Sequence, residues 1–211
     1  MAENAVRRLA ERGVALPAGT VPEGTRGRIL ETALEHFAEH GFHGTSIRDI
    51  GAGAGITSAT LYSHYASKEE ILRDLVMIGV TELRTRIQIA LADVSTPADR
   101  LAAAVFTHVA AHASFPRLAL VTNTELHALS PQLAAPAMAI RRELQEALGR
   151  VLDAGVSDGS FRLTDTAAAG HAIAGMGLHV ATWFQSDDEA AVERVATQFA
   201  GFALRIAGAN D

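Results

Sequence analysis

Residues 45–65 read TSIRDIGAGAGITSATLYSHY. Apolar residues fall at Ile47, Ile50 and Ala54 in the first half and at Ile56 and Leu61 in the second, the spacing of two short helices that each turn one face inward. Gly55 stands between them, where a left-handed backbone is cheap only without a Cβ. Gly51 is small where the two helices must cross closely. Thr57 is placed to cap the second helix, leaving Ser58, Ala59 and Thr60 on its exposed N-terminal end. This is the pattern of a helix-turn-helix, whose second helix enters the major groove of DNA by that end.

The run GAGAG at 51–55 also has the look of a phosphate-cradling glycine loop. That reading needs a preceding strand and a βαβ unit, and the chain shows no strand alternation. The glycines still have a cost. Within a helix Gly51 and Gly53 each lose about 1 kcal/mol against alanine, so tertiary packing has to hold the first helix of the motif.

Working outward, residues 1–24 contain a short helical stretch and then LPAGTVPEG, a Pro/Gly segment that reads as a flexible arm. From Thr25, the residues Ile29, Leu30, Ala33, Leu34 and Phe37 make a helical face that Gly41 closes. SKEE opens a longer helix, with Ser67 and Glu70 spaced as a capping box. TPAD starts another, Thr96 capping and Pro97 at the first helical position. FPRLALVTNTELHALS is a broken helix, and the long amphipathic stretch from Pro131 ends at Gly155. Two more helices follow near 164–185 and 187–207, the last opened by Ser186 with Glu189. The expectation is an all-α chain of about nine helices with no internal repeat. Its parts are an arm over 1–24, a helix-turn-helix domain over 25–72, and a helical ligand-binding and dimerisation domain over 73–211.

Composition bounds the function. Without cysteine there is no disulfide framework and no thiolate chemistry. No apolar run reaches the roughly 18 residues of a membrane span, and the N-terminus lacks the apolar core of a signal peptide, so a cytoplasmic address is expected. The formal charge is −6, which is unusual for a nucleic-acid binder. The cations of the first 73 residues (Arg7, Arg8, Arg12, Arg26, Arg28, Arg48, Lys68 and Arg73) do not outnumber its acids. A DNA surface must come from placement rather than bulk charge.

Residues 26–72, RGRILETALEHFAEHGFHGTSIRDIGAGAGITSATLYSHYASKEEIL, resemble the DNA-binding domain of the tetracycline-repressor (TetR) family of bacterial regulators. The likeness rests on the Phe37, Gly41, Thr45 spacing, on Ile47 to Gly55 to Ile56, and on TLYSHYASKEEIL. It implies that Thr45 and Ser46 offer hydroxyl and backbone N–H groups to phosphate. Tyr62 and His64 would touch phosphates or base edges, and Lys68, the chain's only lysine, would add a flexible point charge. Arg26, Arg28, Arg48, Thr57, Ser58, Ala59 and Thr60 complete the expected DNA-facing set, while Tyr65 packs between helices. The family often carries lysine, arginine or proline where this chain has Ser58. Fewer cations there imply a shallower salt dependence and more readout by contacts such as Ala59 on a thymine methyl.

Ala169, Ile173, Met176, Val180 and Trp183 form one helical seam, and Val192, Val195, Phe199, Phe202 and Ile206 another. At the end of a TetR-like chain these resemble half of a four-helix dimer interface, with Gly170, Ala174 and Gly177 allowing close approach. Trp183 is also a candidate for a pocket lining, with Phe106, His108, His112, Phe115, His127, Met138, His171 and His179. Alanine and phenylalanine mixed with single imidazoles suit an uncharged or amphipathic organic ligand. His108 and His112 share a helix face, but no third ligand has a metal-site spacing, so neither metal nor cofactor is expected. Arg141 and Arg142 sit in IRRELQEAL, where i,i+4 pairing on a solvated face accounts for them. The resemblance also admits an acyl-CoA thioester as ligand. No nucleophile–base pair or carboxylate dyad marks an enzyme. A protein-binding relative without DNA affinity is the remaining alternative. The expectation is therefore a homodimeric regulator, a repressor released from a palindromic operator by a small organic molecule.

Overall fold

The computed structural model describes residues 16–209. The expected N-terminal helix and the cations Arg7, Arg8 and Arg12 lie outside the described residues. Among those residues the chain forms nine α-helices and one 3-10 turn, with no strand. They are α1 (Thr25–Gly44), α2 (Ile47–Gly53), α3 (Ser58–Tyr62), α4 (Lys68–Leu91), α5 (Pro97–Ser114), α6 (Pro116–Thr124), α7 (Pro131–Ser157), α8 (Thr166–Trp183) and α9 (Glu189–Ala207). The 3-10 turn, Leu126–Ala128, follows α6 and breaks the FPRLALVTNTELHALS segment as expected.

The chain divides into two compact units that do not follow sequence order. The first holds the described residues up to Glu82 together with Phe115–Met138; the second holds Leu83–Ser114 and the described residues from Ala139 onward. In the first, Ile29, Leu30, Leu34 and Phe37 of α1 are buried, as are Ile50, Leu61, Tyr65, Ile71 and Leu75. In the second, α5 packs against α8 and α9, and Leu101, Val105 and Val109 meet Leu152, Phe161, Ile173, Val180 and Val195. Each such fully buried aliphatic side chain contributes about 2 kcal/mol.

Local signals explain most helix ends. Thr96 Oγ1 accepts from the Asp99 N–H at 3.2 Å, the expected cap of α5. Three expectations are corrected. Gly41 does not close α1 but kinks it, at φ 70° and ψ 169°, and helical turns resume to Gly44. Gly155 does not stop α7: a Cβ there would lie 2.1 Å from the Phe161 ring, so the glycine makes room for that ring while the helix continues. Ser186 does not cap α9. Asp188 does, accepting from the Ala190 N–H at 3.1 Å, while Ser186 Oγ accepts from Asp188 N–H. At α4 the box is split: Ser67 Oγ accepts from Glu70 N–H, but the Glu70 carboxylate takes the Ala66 N–H.

Candidate nucleic-acid interface

The two helices of the motif are started by side-chain caps and joined by a short turn that pivots on one glycine. Ser46 and Asp49 form a reciprocal capping box at α2, with Asp49 N–H donating to Ser46 Oγ at 3.2 Å and Ser46 N–H to Asp49 Oδ2 at 3.0 Å. The Ser46 hydroxyl, donating to Asp49 Oδ2 at 2.6 Å, and then the Ser46 N–H hold the exposed Asp49 carboxyl below its ordinary range. Thr57 Oγ1 accepts from the Thr60 N–H at 3.1 Å and starts α3. Gly55 takes φ 68°, the left-handed turn that glycine adopts without strain. Ile56 N–H donates back to Gly51 O at 2.9 Å, and a Cβ on Gly51 would stand 3.2 Å from Ile56 O. The small residue is what lets the turn close over α2.

This geometry leaves Thr57, Ala59, Thr60, Tyr62 and His64 exposed on one short stretch, with Leu61 buried beneath them. Tyr62 is 55% exposed, while Tyr65, three residues on, is 2% exposed and packs between helices as expected. Ser58 is half-buried; Ser46, Arg28 and Arg48 are exposed.

Three candidates are engaged elsewhere. Thr45 is buried, its hydroxyl 2.9 Å from Gly41 O and 3.1 Å from His36 O. Its N–H points to Phe42 O at 3.4 Å. The groups expected at a phosphate instead tie the end of α1. Lys68 is not a free point charge: its ammonium donates to Phe42 O at 2.5 Å and Thr45 O at 2.6 Å, and lies 4.1 Å from the centre of the Phe42 ring. Burial lowers its pKa from the ordinary lysine value. Arg26 donates from Nε to Tyr65 Oη at 3.1 Å and from Nη2 to Asp74 at 2.8 Å. Burial pushes the Asp74 carboxyl up, but the hydrogen bonds from Arg26 and Arg73 outweigh it and hold the group below its ordinary range. Burial pushes Tyr65 up to about 12. This network joins α1 to α4 behind the motif.

The ligand candidates are not all gathered. In the second unit, the His112 Nδ1–H donates to His108 O at 2.9 Å and the two rings meet edge to face at 4.4 Å. His108 packs on Gly177, where a Cβ would stand 2.7 Å from Nδ1. Its Nε2 is buried without a hydrogen-bond partner. Burial pushes His112 down to about 4 and His108 well below its ordinary value. Phe106 packs against the same core. His171 and His179 are exposed, the former 2.9 Å from the Gln145 amide. Trp183 is exposed and stacks on Phe199 at 6.2 Å. Phe115, His127 and Met138 belong to the first unit, Phe115 half-buried and the other two exposed. Arg141, expected on a solvated face, is half-buried, and its charge helps keep His112 neutral. Among the described residues no three metal-ligating side chains cluster.

The dimer candidates also divide. Ala169, Ile173, Val180 and Val195 are buried in the second unit's own core, which corrects their place at an intersubunit seam. Met176, Val192 and Phe199 are half-buried, while Phe202 and Ile206 are exposed. Exposed with them are Trp183 and Leu178, the latter not foreseen. The sequence reading also missed a groove of about 620 Å³ in the first unit, lined by Thr20, Pro22, Leu30, Asp74, Met77 and neighbours. No helix of the described residues is long and apolar enough to cross a membrane.

Comparison with known proteins agrees with this geometry at both ends of the chain. Residues 29–75 match "Bacterial regulatory proteins, tetR family", and residues 94–207 match "Tetracyclin repressor-like, C-terminal domain". The HTH-type transcriptional repressor KstR2 of Rhodococcus jostii is 28% identical over 183 residues, covering 86% of this chain and 90% of its own. A bacterial regulatory protein in the tetR family from Rhodococcus RHA1 superposes with a TM-score of 0.83 at 31% identity, covering 90% of this chain and all of its own. The ketosteroid transcriptional regulator KstR2 of Mycobacterium tuberculosis gives 0.81 at 25% identity, over 90% of this chain and 97% of its own. The matched segments include the capped, glycine-turned motif and the α5, α8 and α9 bundle: the chain belongs to the tetR family of bacterial regulatory proteins, helix-turn-helix DNA-binding regulators of transcription rather than enzymes.

Proposed function

We propose that this chain is a cytoplasmic homodimeric repressor that binds a palindromic operator and is released by a small organic ligand. The observation that carries the reading is the short exposed stretch from Thr57 to His64, held by the Thr57 cap and the Gly55 turn over a buried Leu61. Its hydroxyls, methyl and aromatic edge suit base-edge and phosphate contacts in a major groove, with Arg48 on the preceding helix and Arg28 on α1 both exposed. Operator reading is assigned to residues 25–72, and ligand binding and dimerisation to 73–211.

A single motif reads one half-site, so a dimer is required. Leu178, Trp183, Phe202 and Ile206 supply its apolar face on α8 and α9. The repressor sign is supported by the name of the Rhodococcus jostii relative. An apolar ligand is supported by the ketosteroid regulator of Mycobacterium tuberculosis and by the neutral, buried His108–His112 pair. An amphipathic ligand, acyl-CoA thioesters included, falls within the same reading. Ligand acts by population shift, favouring a state in which α4 carries the two reading heads out of groove spacing.

Selection from random-sequence DNA by the purified protein tests this. A palindromic consensus, bound by a dimer and released by a sterol or acyl-CoA panel, is the expected result. Recovery of no consensus removes the operator reading.

A further inference from the structure

The turn that feeds the helix-turn-helix is gripped from two sides at one residue. Phe42 follows the kink at Gly41, where the backbone turns at φ 70°. Its N–H donates to Glu125 Oε2 at 3.1 Å, and its carbonyl accepts from the Lys68 ammonium at 2.5 Å. The same ammonium takes Thr45 O at 2.6 Å, one residue before the Ser46 cap of α2. A carboxylate thus sits on the N–H and a cation on the carbonyl of a single residue, the stronger, charge-assisted kind of hydrogen bond at each.

Glu125 is itself well held. It is the residue that ends α6, with its N–H donating to Val121 O at 3.0 Å and its carbonyl accepting from Ala128 N–H at 2.9 Å. Gly41 approaches it closely enough that an added Cβ would lie 3.7 Å from Oε1. Five residues on, the Ser130 N–H donates to Glu69 Oε1 in the first turn of α4. The segment 125–130 therefore spans from the turn before α2 to the start of α4, within the first compact unit.

We infer that Glu125 and Lys68 are positioning residues for operator binding, which set the Gly41–Thr45 turn and through it α2 and α3 without touching DNA. The inference rests on the reading of the Thr57–His64 face as the operator surface. It also gives α6 a direct hold on that face through one carboxylate.

Charge makes the test decisive. Removing a carboxylate from a DNA-binding unit should, by its field alone, strengthen DNA binding. A positioning role predicts the reverse for Glu125→Ala: affinity for the duplex selected by the wild-type protein falls about tenfold. Glu125→Gln keeps an acceptor oxygen for the Phe42 N–H while losing the charge, and is expected to bind at least as tightly as the wild type. Lys68→Met weakens binding but leaves the salt slope unchanged, whereas a lost phosphate contact lowers it by about 0.9. The double variant costs less than the product of the singles, because both act on one turn. Amide exchange in the free protein is read alongside, with faster exchange at Asp49 and Ile50 expected in Glu125→Ala. Undiminished affinity in Glu125→Ala, a salt slope reduced by Lys68→Met, or unchanged exchange at Asp49 and Ile50 each overturns the inference. Failure of the wild type to select any duplex undoes the operator reading instead, while the exchange experiment still decides whether the clamp holds α2.

Discussion

Gly53 and Thr32 touch so closely that a Cβ on the glycine would stand 2.6 Å from Thr32 Cγ2. Helix propensity alone favours alanine at position 53 by about 1 kcal/mol. The contact reverses the sign, because two β-carbons and a branched threonine cannot share that space. Gly53→Ala is expected to lose about 1–2 kcal/mol in urea unfolding. Gly53→Ala with Thr32→Ala is expected to recover at least the wild-type value. A single variant more stable than the wild type contradicts the packing account of this glycine-rich helix.

The buried histidines set an acid limit to stability. Both His108 and His112 have folded pKa values below the ordinary 6.5, through burial first, with His112 at about 4. Their neutral forms are the folded ones, so the unfolded chain binds more protons as pH falls. Their contribution is complete above about pH 6.5 and is lost on acidification from there towards 4, by up to about 1.4 kcal/mol per pH unit for each group. Urea unfolding at pH 7.5, 6 and 5 should show this decline, and His108→Gln with His112→Gln should flatten it. An unchanged slope in the double variant contradicts the assignment.

The local parts of the fold were legible in the sequence. Gly55 as the turn, Thr57 and Thr96 as caps, and the inward spacing of Ile50 and Leu61 each follow from a few adjacent residues. Long-range partners were not. Lys68 reads as a solvent-facing cation because nothing near it in sequence predicts that it will cap carbonyls 26 and 23 residues away. Glu125 and Phe42 meet across 83 residues, and the buried Arg117 faces Glu35 and Glu39 in the same way. Seam periodicity in α8 and α9 marks an apolar face but not what covers it. Ile173 and Val180 fill the protomer's own core, while Leu178 and Trp183 emerge on the surface.

That surface gives a prediction about assembly. Trp183, Phe202, Leu178 and Ile206 are 45%, 41%, 40% and 37% exposed, more than large apolar side chains need to be in an isolated bundle. Sedimentation should find a dimer for the wild type and a monomer for Phe202→Glu, with operator affinity reduced at least tenfold because each head then binds one half-site alone. A variant that remains dimeric places the interface elsewhere.

The central claim is that the stretch from Thr57 to His64 lies on the operator. Fluorescence anisotropy of the wild type, Tyr62→Ala and His64→Ala on the selected duplex, over a salt series, tests it most directly. Tyr62 and His64 are exposed and hold nothing else in place, so both variants are expected to keep the wild-type fold by circular dichroism. Nanomolar, salt-sensitive wild-type binding that each substitution weakens by about tenfold is the predicted result. Wild-type affinity and salt slope retained in both variants would contradict the account and move the DNA surface off α3.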